Sequence, residues 1–481
     1  MAFITVSRII TALMAIVGST FVIPITVAIC CKEYSVILPF VIPMVVSWAL
    51  FAVLNIPFRG KKFNLNIRIT FVVVALAWIF VSIFGAIPLY FSGSITNVVD
   101  AFFESASGFS TTGATVLSNI DELPRSINLW RCQTHWLGGM GIVALTVALL
   151  PLLGVGGFQL IKAETTGPDK GKVTANIATT AKVLWLIYFG FTVVETILLL
   201  ICGMDFIDAL SHSFSTLGTG GFSTRSGSIG SYNSCSIDVI CTIFMFLSGV
   251  NFSLYYYLFT GKLRDIRENS ELKAYILICF VSILAIAFTI RPMYGSFFKA
   301  LRYSSFQTAS IITTTGFGTA DYTTWPSVAQ FFIFVLFFIG GCSGSTAGGI
   351  KVVRWVILFK QVSNETKKIL HPHGVFSIRL NNNPGRKDIV FSVTSFMVVY
   401  GILILITTFV GCLGKLDILT AFTGAVSMVG NVGPAFGALG PSYTLAELPY
   451  FVKGFYCFAM LAGRLELYTM IIFFLPNYWK K

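Results

Sequence analysis

Long apolar stretches alternate with short polar connections along almost the whole chain. Ten of them approach the roughly 20 residues that an α-helix needs to cross the hydrocarbon core of a bilayer. They lie near 9–30, 35–56, 69–91, 129–152, 183–203, 236–259, 274–290, 326–350, 389–412 and 448–476. The first is too long for a secretion signal and no small-residue cleavage site follows it. The pattern predicts an all-α integral membrane protein.

A second pattern occurs four times, in which a long apolar segment is followed by a short half-helix and a glycine-bearing turn. The turns read Thr111-Thr112-Gly113, Gly218-Thr219-Gly220, Thr314-Thr315-Gly316 and Asn431-Val432-Gly433. Their last glycines are 107, 96 and 117 residues apart, which indicates an internal repeat. Ser107, Ser310 and Ser427 lie six positions before the glycine, and Ser215 lies five before it, as though the second copy lost one residue.

Each repeat is therefore predicted to contain a helix, a re-entrant pore loop and a second helix, arranged around one central pore. We place a two-helix N-terminal extension at 1–66 and the four repeats at 67–161, 175–262, 270–362 and 387–478. Irregular backbone at membrane depth persists only where protein or a water-filled cavity covers it. The four turns are thus expected to converge on a shared axis.

The residue types of the turns suit a dehydrated monovalent cation. Such an ion needs several oxygen dipoles in place of its hydration shell, and backbone carbonyls supply them without a fixed charge. Glycine permits close approach of the backbone, and the C-terminal ends of the short helices carry partial negative charge. The twelve turn residues are therefore predicted to form an ion filter.

Composition and charge place the chain in a bilayer and suggest its orientation. Hydrophobic residues make up 55% of the chain and charged residues 11%, and the mean hydropathy is +0.82. Lysine and arginine collect near 59–68, 162–172, 262–273 and 351–387, all on one side when every span is counted. Basic loops mark the cytoplasmic side, so we expect both termini there. The net charge of +13 needs no nucleic acid to explain it.

A glycine-rich segment interrupts the eighth apolar stretch. It contains Gly340, Gly341, Gly344, Ser345, Thr346, Gly348 and Gly349. This composition disfavours a helix and exposes backbone dipoles, although glycine also permits close packing of helices. We favour an intramembrane gating loop below the filter, because its hydroxyl groups need polar surroundings.

Arg464 lies inside the last apolar stretch. A charge at that depth is costly unless it faces water or a polar partner. Glu466 is the nearest acidic residue in sequence, but positions i and i+2 of a helix do not face each other. We expect Arg464 to face the pore and to add a positive barrier; a structural ion pair is the alternative.

Other classes of protein fit the sequence poorly. The four histidines and ten cysteines lack the spacing of a metal site or a disulfide framework. No nucleotide-binding motif appears, and the longest cytoplasmic connection, 351–387, is too short for an ATPase domain. An intramembrane enzyme would need an acid-base pair or an activated nucleophile at membrane depth, and none is apparent.

The turn motifs resemble the four filter signatures of the Trk/Ktr/HKT potassium transporter superfamily. The segments that carry the resemblance are 109–115, 219–224, 313–317 and 431–434. Segment 340–351 is similar to the intramembrane gating loop of that family, and 135–141 to the helix after its first filter. With two extra N-terminal spans, the chain resembles the bacterial TrkH branch more than KtrB.

The resemblance implies a potassium uptake subunit of the bacterial cytoplasmic membrane, with K⁺ bound at the filter residues. It further implies a homodimer in which each protomer keeps its own pore. A cytosolic ring of nucleotide-binding regulatory subunits would be the partner, so that nucleotide acts only through it. The second and fourth turns carry fewer threonines, which leaves a sodium-coupled potassium symporter or a sodium-permeable relative as the alternative.

Overall fold

The structure is a computed structural model that describes residues 2–58, 67–141, 177–381, 383–384, 387–474 and 476–479. Helices form nearly all of the regular structure in these ranges. The strands found there are Arg379–Leu380 and Asn383–Pro384, which pair as an antiparallel hairpin. The basic connection at 162–172, most of the one at 59–68, the end of the fourth apolar stretch and Arg386 lie outside the described residues.

Six helices of the described part are long and apolar enough to cross a bilayer. They are Ile4–Cys30, Tyr34–Asn55, Ile69–Phe91, Thr180–Ile201, Ser270–Tyr294 and Ile389–Leu413. These six match six of the ten predicted spans. The remaining four predicted spans are the ones that follow the glycine-bearing turns. Three of them are interrupted, and in the one near 129–152, which is described only to residue 141, the helix ends at Gly139.

Each repeat contains a long helix, a short helix, a turn and a second helix. The long helices are Ile67–Phe91, Ile177–Ile201, Ser270–Tyr294 and Lys387–Leu413. The short helices are Val98–Phe109, Phe206–Gly218, Phe297–Ile312 and Ile418–Gly430. The second helices are Arg125–Gly139, Cys235–Ser248, Ser327–Leu336 and Tyr450–Arg464.

Polar caps fix the start of three of the four short helices. Asn97, Asp205 and Asp417 each accept a hydrogen bond from a backbone N–H two or three residues later. Such caps satisfy N–H groups that have no partner within the first helical turn. Asp205 and Asp417 therefore act as N-caps of the short helices of repeats 2 and 4.

The second helices break where they pass the C-terminal ends of the short helices. The interruptions follow at 140–141, 249–251, 337–351 and 465–467. In the second repeat the chain turns by 92° before it resumes as Phe252–Phe259. Glycine allows this close passage, because a Cβ at Gly138 would lie 1.9 Å from the carbonyl oxygen of Phe109. The sequence predicted only the third break.

The four repeats pack in chain order as a closed ring. The second helix of repeat 1 lies against the short helix of repeat 2, and the second helix of repeat 2 lies against the short helix of repeat 3. In the same way, the second helix of repeat 4 lies against the short helix of repeat 1. Repeat 3 reaches repeat 4 through Phe334 and Phe338, whose ring centroids lie 6.4 and 6.3 Å from that of Phe422.

The N-terminal extension packs against the first repeat. It consists of Ala2–Thr20, Val22–Cys30 and Tyr34–Asn55. Phe21 stacks on Phe84 of the long helix and meets Trp130 of the second helix edge-on. The carboxylate of Glu33 accepts hydrogen bonds from the backbone N–H groups of Arg125 and Ser126, at 2.7 and 3.1 Å. The extension therefore caps the second helix of repeat 1.

Candidate functional site

Each short helix is followed by a residue with left-handed backbone geometry. These residues are Thr111, Thr219, Thr314 and Asn431, with φ between 54° and 57°. Three of them are β-branched, and such side chains rarely adopt a positive φ. Each costs on the order of 1–3 kcal/mol of strain, so the surrounding structure must hold it in place.

The residue after each left-handed position closes the turn onto a serine carbonyl. The backbone nitrogen donates to that oxygen at 2.8 to 2.9 Å in all four repeats. The donors are Thr112, Gly220, Thr315 and Val432, and the acceptors are Ser107, Ser215, Ser310 and Ser427. The four predicted turns thus share one hydrogen-bond pattern.

This pattern corrects the predicted alignment of the second turn. Gly220 is the counterpart of Thr112, so the glycine that matches Gly113 is Gly221. Ser215 lies six positions before Gly221, and the second copy has therefore lost no residue. Gly218 is the last residue of its short helix and precedes the turn. The sequence was ambiguous here because two glycines follow each other.

The last residue of each turn is a glycine that packs against the backbone of the next turn. Its φ lies between 78° and 98° in all four copies. A Cβ added to Gly113, Gly221, Gly316 or Gly433 would lie 1.9 to 2.5 Å from the carbonyl oxygen of Gly220, Thr315, Val432 or Thr112, respectively. The contacts run from turn 1 to turn 2, 3 and 4 and back to turn 1, which closes a ring of backbone.

The hydroxyl groups behind the ring differ from turn to turn. Thr112 shares a hydrogen bond with Ser110 at 2.8 Å, and Thr315 shares the equivalent bond with Thr313 at 2.7 Å. In the fourth turn Asn431 instead donates from Nδ2 to the hydroxyl of Thr112 at 3.0 Å. The asymmetry expected from the sequence therefore extends to the hydrogen bonds that support the turns.

The glycine-rich segment forms a loop, as predicted, between Leu336 and Val352. Two backbone hydrogen bonds close its neck. The N–H of Gly340 donates to the carbonyl of Ile350 at 2.9 Å, and the N–H of Val352 donates to the carbonyl of Gly341 at 3.2 Å. The side chain of Ser345 donates to the backbone within the loop. The loop is therefore a defined structure within the broken helix.

Backbone groups of the loop form hydrogen bonds with the N–H and carbonyl groups at the break in the helix of repeat 2. The N–H of Cys342 donates to the carbonyl of Gly249 at 2.8 Å, and the carbonyl of Gly344 accepts from the N–H of Phe252 at 3.0 Å. Breaks in helices normally leave such groups without partners. The loop of repeat 3 and the break of repeat 2 consequently depend on each other.

The tip of the loop touches two of the turns. The N–H of Gly348 donates to the hydroxyl of Thr314 at 2.6 Å. A Cβ at Gly348 would lie 2.6 Å from the carbonyl oxygen of Gly430 and 2.9 Å from the Cβ of Asn431. Gly349 has a φ of 66° and packs beside Gly340 and Thr314. Glycine is required here for close contact with the ring.

Arg464 bridges the loop to the first repeat. Its guanidinium group donates to the carbonyl of Thr346 at 2.8 Å and to the carbonyls of Gly138 and Gly139 at 2.7 and 2.9 Å. Glu466 makes its ion pair with Arg354. The arginine thus places positive charge beside buried carbonyl groups of the loop and of the last turn of the second helix of repeat 1.

Two cations that the sequence assigned to the cytoplasmic loop are buried instead. Lys351 and Arg354 are 2% and 6% exposed. Lys351 donates from Nζ to the carbonyl of Ala347 within the loop, and the guanidinium carbon of Arg354 lies 3.7 Å from the ring centroid of Phe396. They are buried because the chain folds back at the neck of the loop.

Glu271, which the sequence did not single out, holds both sides of the loop. Its Oε1 atom accepts hydrogen bonds from the N–H groups of Ser343 and Val353, at 2.7 and 3.1 Å. The residue is 7% exposed and lies in the first turn of the long helix of repeat 3. One carboxylate oxygen thus accepts from backbone N–H groups on both sides of the loop, and this contact anchors the loop to its own repeat.

A buried ion pair also escaped prediction. Glu104 and Arg131 approach to 2.6 Å with side chains that are 0% exposed. Glu104 also accepts from the N–H of Val116 at 3.0 Å, and Arg131 donates to the carbonyl of Ser223 at 3.4 Å. The pair therefore connects the segments that follow turns 1 and 2. An arginine within an apolar stretch was the available signal.

A second pair of this kind lies between the first and last repeats. Lys453 donates from Nζ to Asp100 at 2.7 Å, and the lysine side chain is 1% exposed. Asp100 is in the first turn of the short helix of repeat 1. The contact fixes that helix against the second helix of repeat 4.

The chain is similar to bacterial potassium uptake proteins along its whole length. A family model described as "TrkH: Cation transport protein" matches residues 38–481. The Trk system potassium uptake protein TrkH of Escherichia coli strain K12 is 37% identical to this chain over 100% of both chains. The protein of the same name from Halomonas elongata is 37% identical over 98% of both chains. The crystal structure of the potassium transporter TrkH from Vibrio parahaemolyticus matches 100% of both chains with 34% identity and a TM-score of 0.88. The predicted fold class is thereby confirmed.

Proposed function

Since the chain belongs to the TrkH family of cation transport proteins, we propose that it mediates potassium uptake through the ring of four turns. The relatives named above are potassium uptake proteins, and the family consists of transporters rather than enzymes. The chain is a multi-pass membrane protein. A cytoplasmic membrane of a bacterium, with both termini inside, is the proposed location.

Backbone carbonyl groups of the ring would replace the hydration shell of K⁺. The residues proposed to supply or shape these sites are Thr111, Thr112, Gly113, Thr219, Gly220, Gly221, Thr314, Thr315, Gly316, Asn431, Val432 and Gly433. The turns carry no carboxylate, so a bound ion would also be able to leave. The C-terminal ends of the four short helices add partial negative charge below the ring.

The single observation that carries the proposal is the closed order of the contacts, in which each glycine meets the carbonyl of the next turn. Four separate re-entrant loops with unrelated roles would not require such contacts. The ring also explains why the third position of every turn is glycine.

The loop at 337–351 is proposed to obstruct passage below the ring, with Arg464 as a positive barrier beside it. Its contacts with Thr314 and Asn431 support this role. Opening would require the loop to leave the ring and its neck contacts to rearrange. We expect deletion of 340–349 to raise flux; unchanged flux in a folded protein would make the loop a structural element only.

Flux in proteoliposomes tests the proposed function directly. Purified protein should pass K⁺ and Rb⁺ faster than Na⁺ and Li⁺, because carbonyl sites favour the ions that dehydrate more readily. Liposomes without protein give the background rate. Equal rates for the four ions, or no ion flux above background, would contradict the proposal.

Sodium-coupled potassium symport is the second candidate. The observation that favours it is the asymmetry of the ring, where Gly220 and Val432 stand in place of the threonines of turns 1 and 3. Potassium uptake measured with sodium omitted on both sides separates the two functions. Uptake that persists supports a channel-like pathway, and uptake that requires sodium supports coupling.

A homodimer and a cytosolic ring of nucleotide-binding regulatory subunits complete the proposal. Helix Val352–Leu370 carries exposed basic residues at Lys367 and Lys368. Large apolar side chains beside them are also exposed, with Ile369 at 79% and Leu370 at 70%. This combination suits a protein partner. Pull-down of a soluble partner with and without nucleotide tests that contact, and the mass of the complex in detergent tests the dimer.

A further inference from the structure

The second turn lacks a side chain where the other three have one. The middle residue is Thr112, Thr315 or Val432 in turns 1, 3 and 4, and it is Gly220 in turn 2. The space behind Gly220 is occupied, since a Cβ there would lie 1.9 Å from Nδ1 and 2.2 Å from Cγ of His135. An imidazole from repeat 1 therefore fills the volume that a side chain of the turn fills elsewhere.

His135 also holds the residue that follows the turn glycine. The backbone N–H of Phe222 donates to Nε2 of His135 at 3.3 Å. The two rings lie against each other with centroids 4.2 Å apart. His135 is 0% exposed, and its carbonyl oxygen lies 2.5 Å from the position of a Cβ on Gly218. The second helix of repeat 1 thus contacts turn 2 before, behind and after Gly220.

The hydrogen bond from Phe222 determines the protonation state that the site accepts. Nε2 can accept an N–H only when it carries no proton. This contact therefore requires a neutral ring, with its proton on Nδ1. An imidazolium would place two donors face to face and would add a positive charge beside the proposed cation path. A neutral, rigid, buried ring avoids both effects while it supports the backbone.

We infer that His135 is a positioning residue for selectivity, which replaces the missing side chain of turn 2 and fixes the Gly220 carbonyl that packs against Gly113. The inference rests on the proposed potassium pathway. Gly220 and His135 then form one unit. The imidazole fits only because Gly220 has no side chain, and Gly220 keeps its position only because the imidazole packs behind it. Turn 2 would lose its alignment if either residue alone were changed.

A double-mutant cycle tests this unit through the ratio of K⁺ to Na⁺ flux in proteoliposomes. Gly220→Ala and His135→Ala should each lower the ratio, the first by overlap with the imidazole and the second by loss of support. The ratio of K⁺ to Na⁺ flux in the double variant should be about tenfold higher than in Gly220→Ala. A change of that size agrees with the coupling energies measured for residues in contact. Additive losses would overturn the inference.

Gly221→Ala is the matched control in the adjacent position. A Cβ there would lie 2.1 Å from the carbonyl oxygen of Thr315, and the three atoms nearest to it belong to Thr315 and Gly316. Its loss of selectivity should therefore persist in the His135→Ala background. Equal rescue of Gly220→Ala and Gly221→Ala would show general relaxation of the protein and would overturn the specific pairing.

Two further variants keep the test decisive if His135→Ala does not yield monodisperse protein. His135→Gln retains a neutral acceptor and should keep most of the ratio, whereas His135→Leu retains bulk without an acceptor and should lower it. An unchanged ratio in His135→Leu would refute the positioning role. Absence of K⁺ flux in the unaltered protein would instead refute the proposed function, which separates the two failures.

Discussion

The N–H of Gly348, at the tip of the glycine-rich loop, donates to the hydroxyl of Thr314, the left-handed residue of turn 3, at 2.6 Å. A loop that withdraws must break this bond. Both groups are buried, and a buried N–H without a partner costs about 1–3 kcal/mol. The position of the loop and the stability of turn 3 are consequently linked.

Thr314→Val should increase potassium flux, because it removes the acceptor and weakens the seated position of the loop. A loss of about 1–3 kcal/mol corresponds to roughly a fivefold to hundredfold shift toward the withdrawn state. Thr314→Ser keeps the hydroxyl and is the matched control. Flux of Thr314→Val at or below the level of Thr314→Ser would contradict the link.

Gly113→Ser and Gly316→Ser should reduce the preference for potassium over sodium. A Cβ at these positions would overlap the carbonyl oxygens of Gly220 and Val432, and the ring would have to widen. The comparison is with Gly401→Ala, where a Cβ would meet none of the described atoms within 4 Å. Flux ratios that stay equal in all three variants would argue against the ring as the filter.

Replacement of Glu271 should release the loop from its long helix. Both hydrogen bonds use Oε1, so Glu271→Gln retains the acceptor and should resemble the unaltered protein. Glu271→Leu removes it and should raise flux, with a fall in thermal stability that reflects two lost bonds of about 0.5–1.5 kcal/mol each. Equal flux in the Gln and Leu variants would show that the carboxylate does not restrain the loop.

Arg464→Ala should also raise flux, because it removes positive charge and three hydrogen bonds to the carbonyls of Thr346, Gly138 and Gly139. Arg464→Lys keeps the charge but cannot make the same planar set of bonds, and we expect an intermediate rate. Arg264→Ala alters an exposed pair with Glu268 and serves as the surface control. Equal flux rates in Arg464→Ala and Arg264→Ala would show that Arg464 is not part of the barrier.

The buried pair of Glu104 and Arg131 should be far more sensitive to single than to paired replacement. Arg131→Met leaves a carboxylate buried without its partner, which typically costs about 3–5 kcal/mol. Combination with Glu104→Leu should restore much of the thermal stability, measured by unfolding in detergent. Ion selectivity should stay impaired in the double variant, because the link from Val116 to Ser223 is lost. If the double variant recovered both thermal stability and ion selectivity, the ion pair would not be needed for either property.

The sequence predicted the elements whose signal is local. Apolar length identified the six spans that the structure shows as long apolar helices. The dense glycines at 340–349 correctly predicted a broken helix, because so many residues of low helix propensity lie within one span.

Features that depend on contacts between repeats were not predictable in this way. Gly139 ends the second helix of repeat 1 and Gly249 lies in the break of repeat 2, but glycines at such positions are also typical of helix packing. The alignment of turn 2 failed because Gly220 and Gly221 follow each other, and only the packed turn shows that Gly221 is the counterpart of Gly113. Segment 135–141 carried part of the family resemblance, but that resemblance assigned no role to His135, and its relation to Gly220 exists only once repeats 1 and 2 are packed together.

The contact of Gly433 with the carbonyl of Thr112 gives the ring a definite order of assembly. Ribosomal synthesis proceeds from the N-terminus, so the first quarter enters the bilayer long before its last neighbour has been made. Until that neighbour arrives, one flank of the earliest turn has no mate, so the ring of backbone closes only after synthesis has passed residue 433.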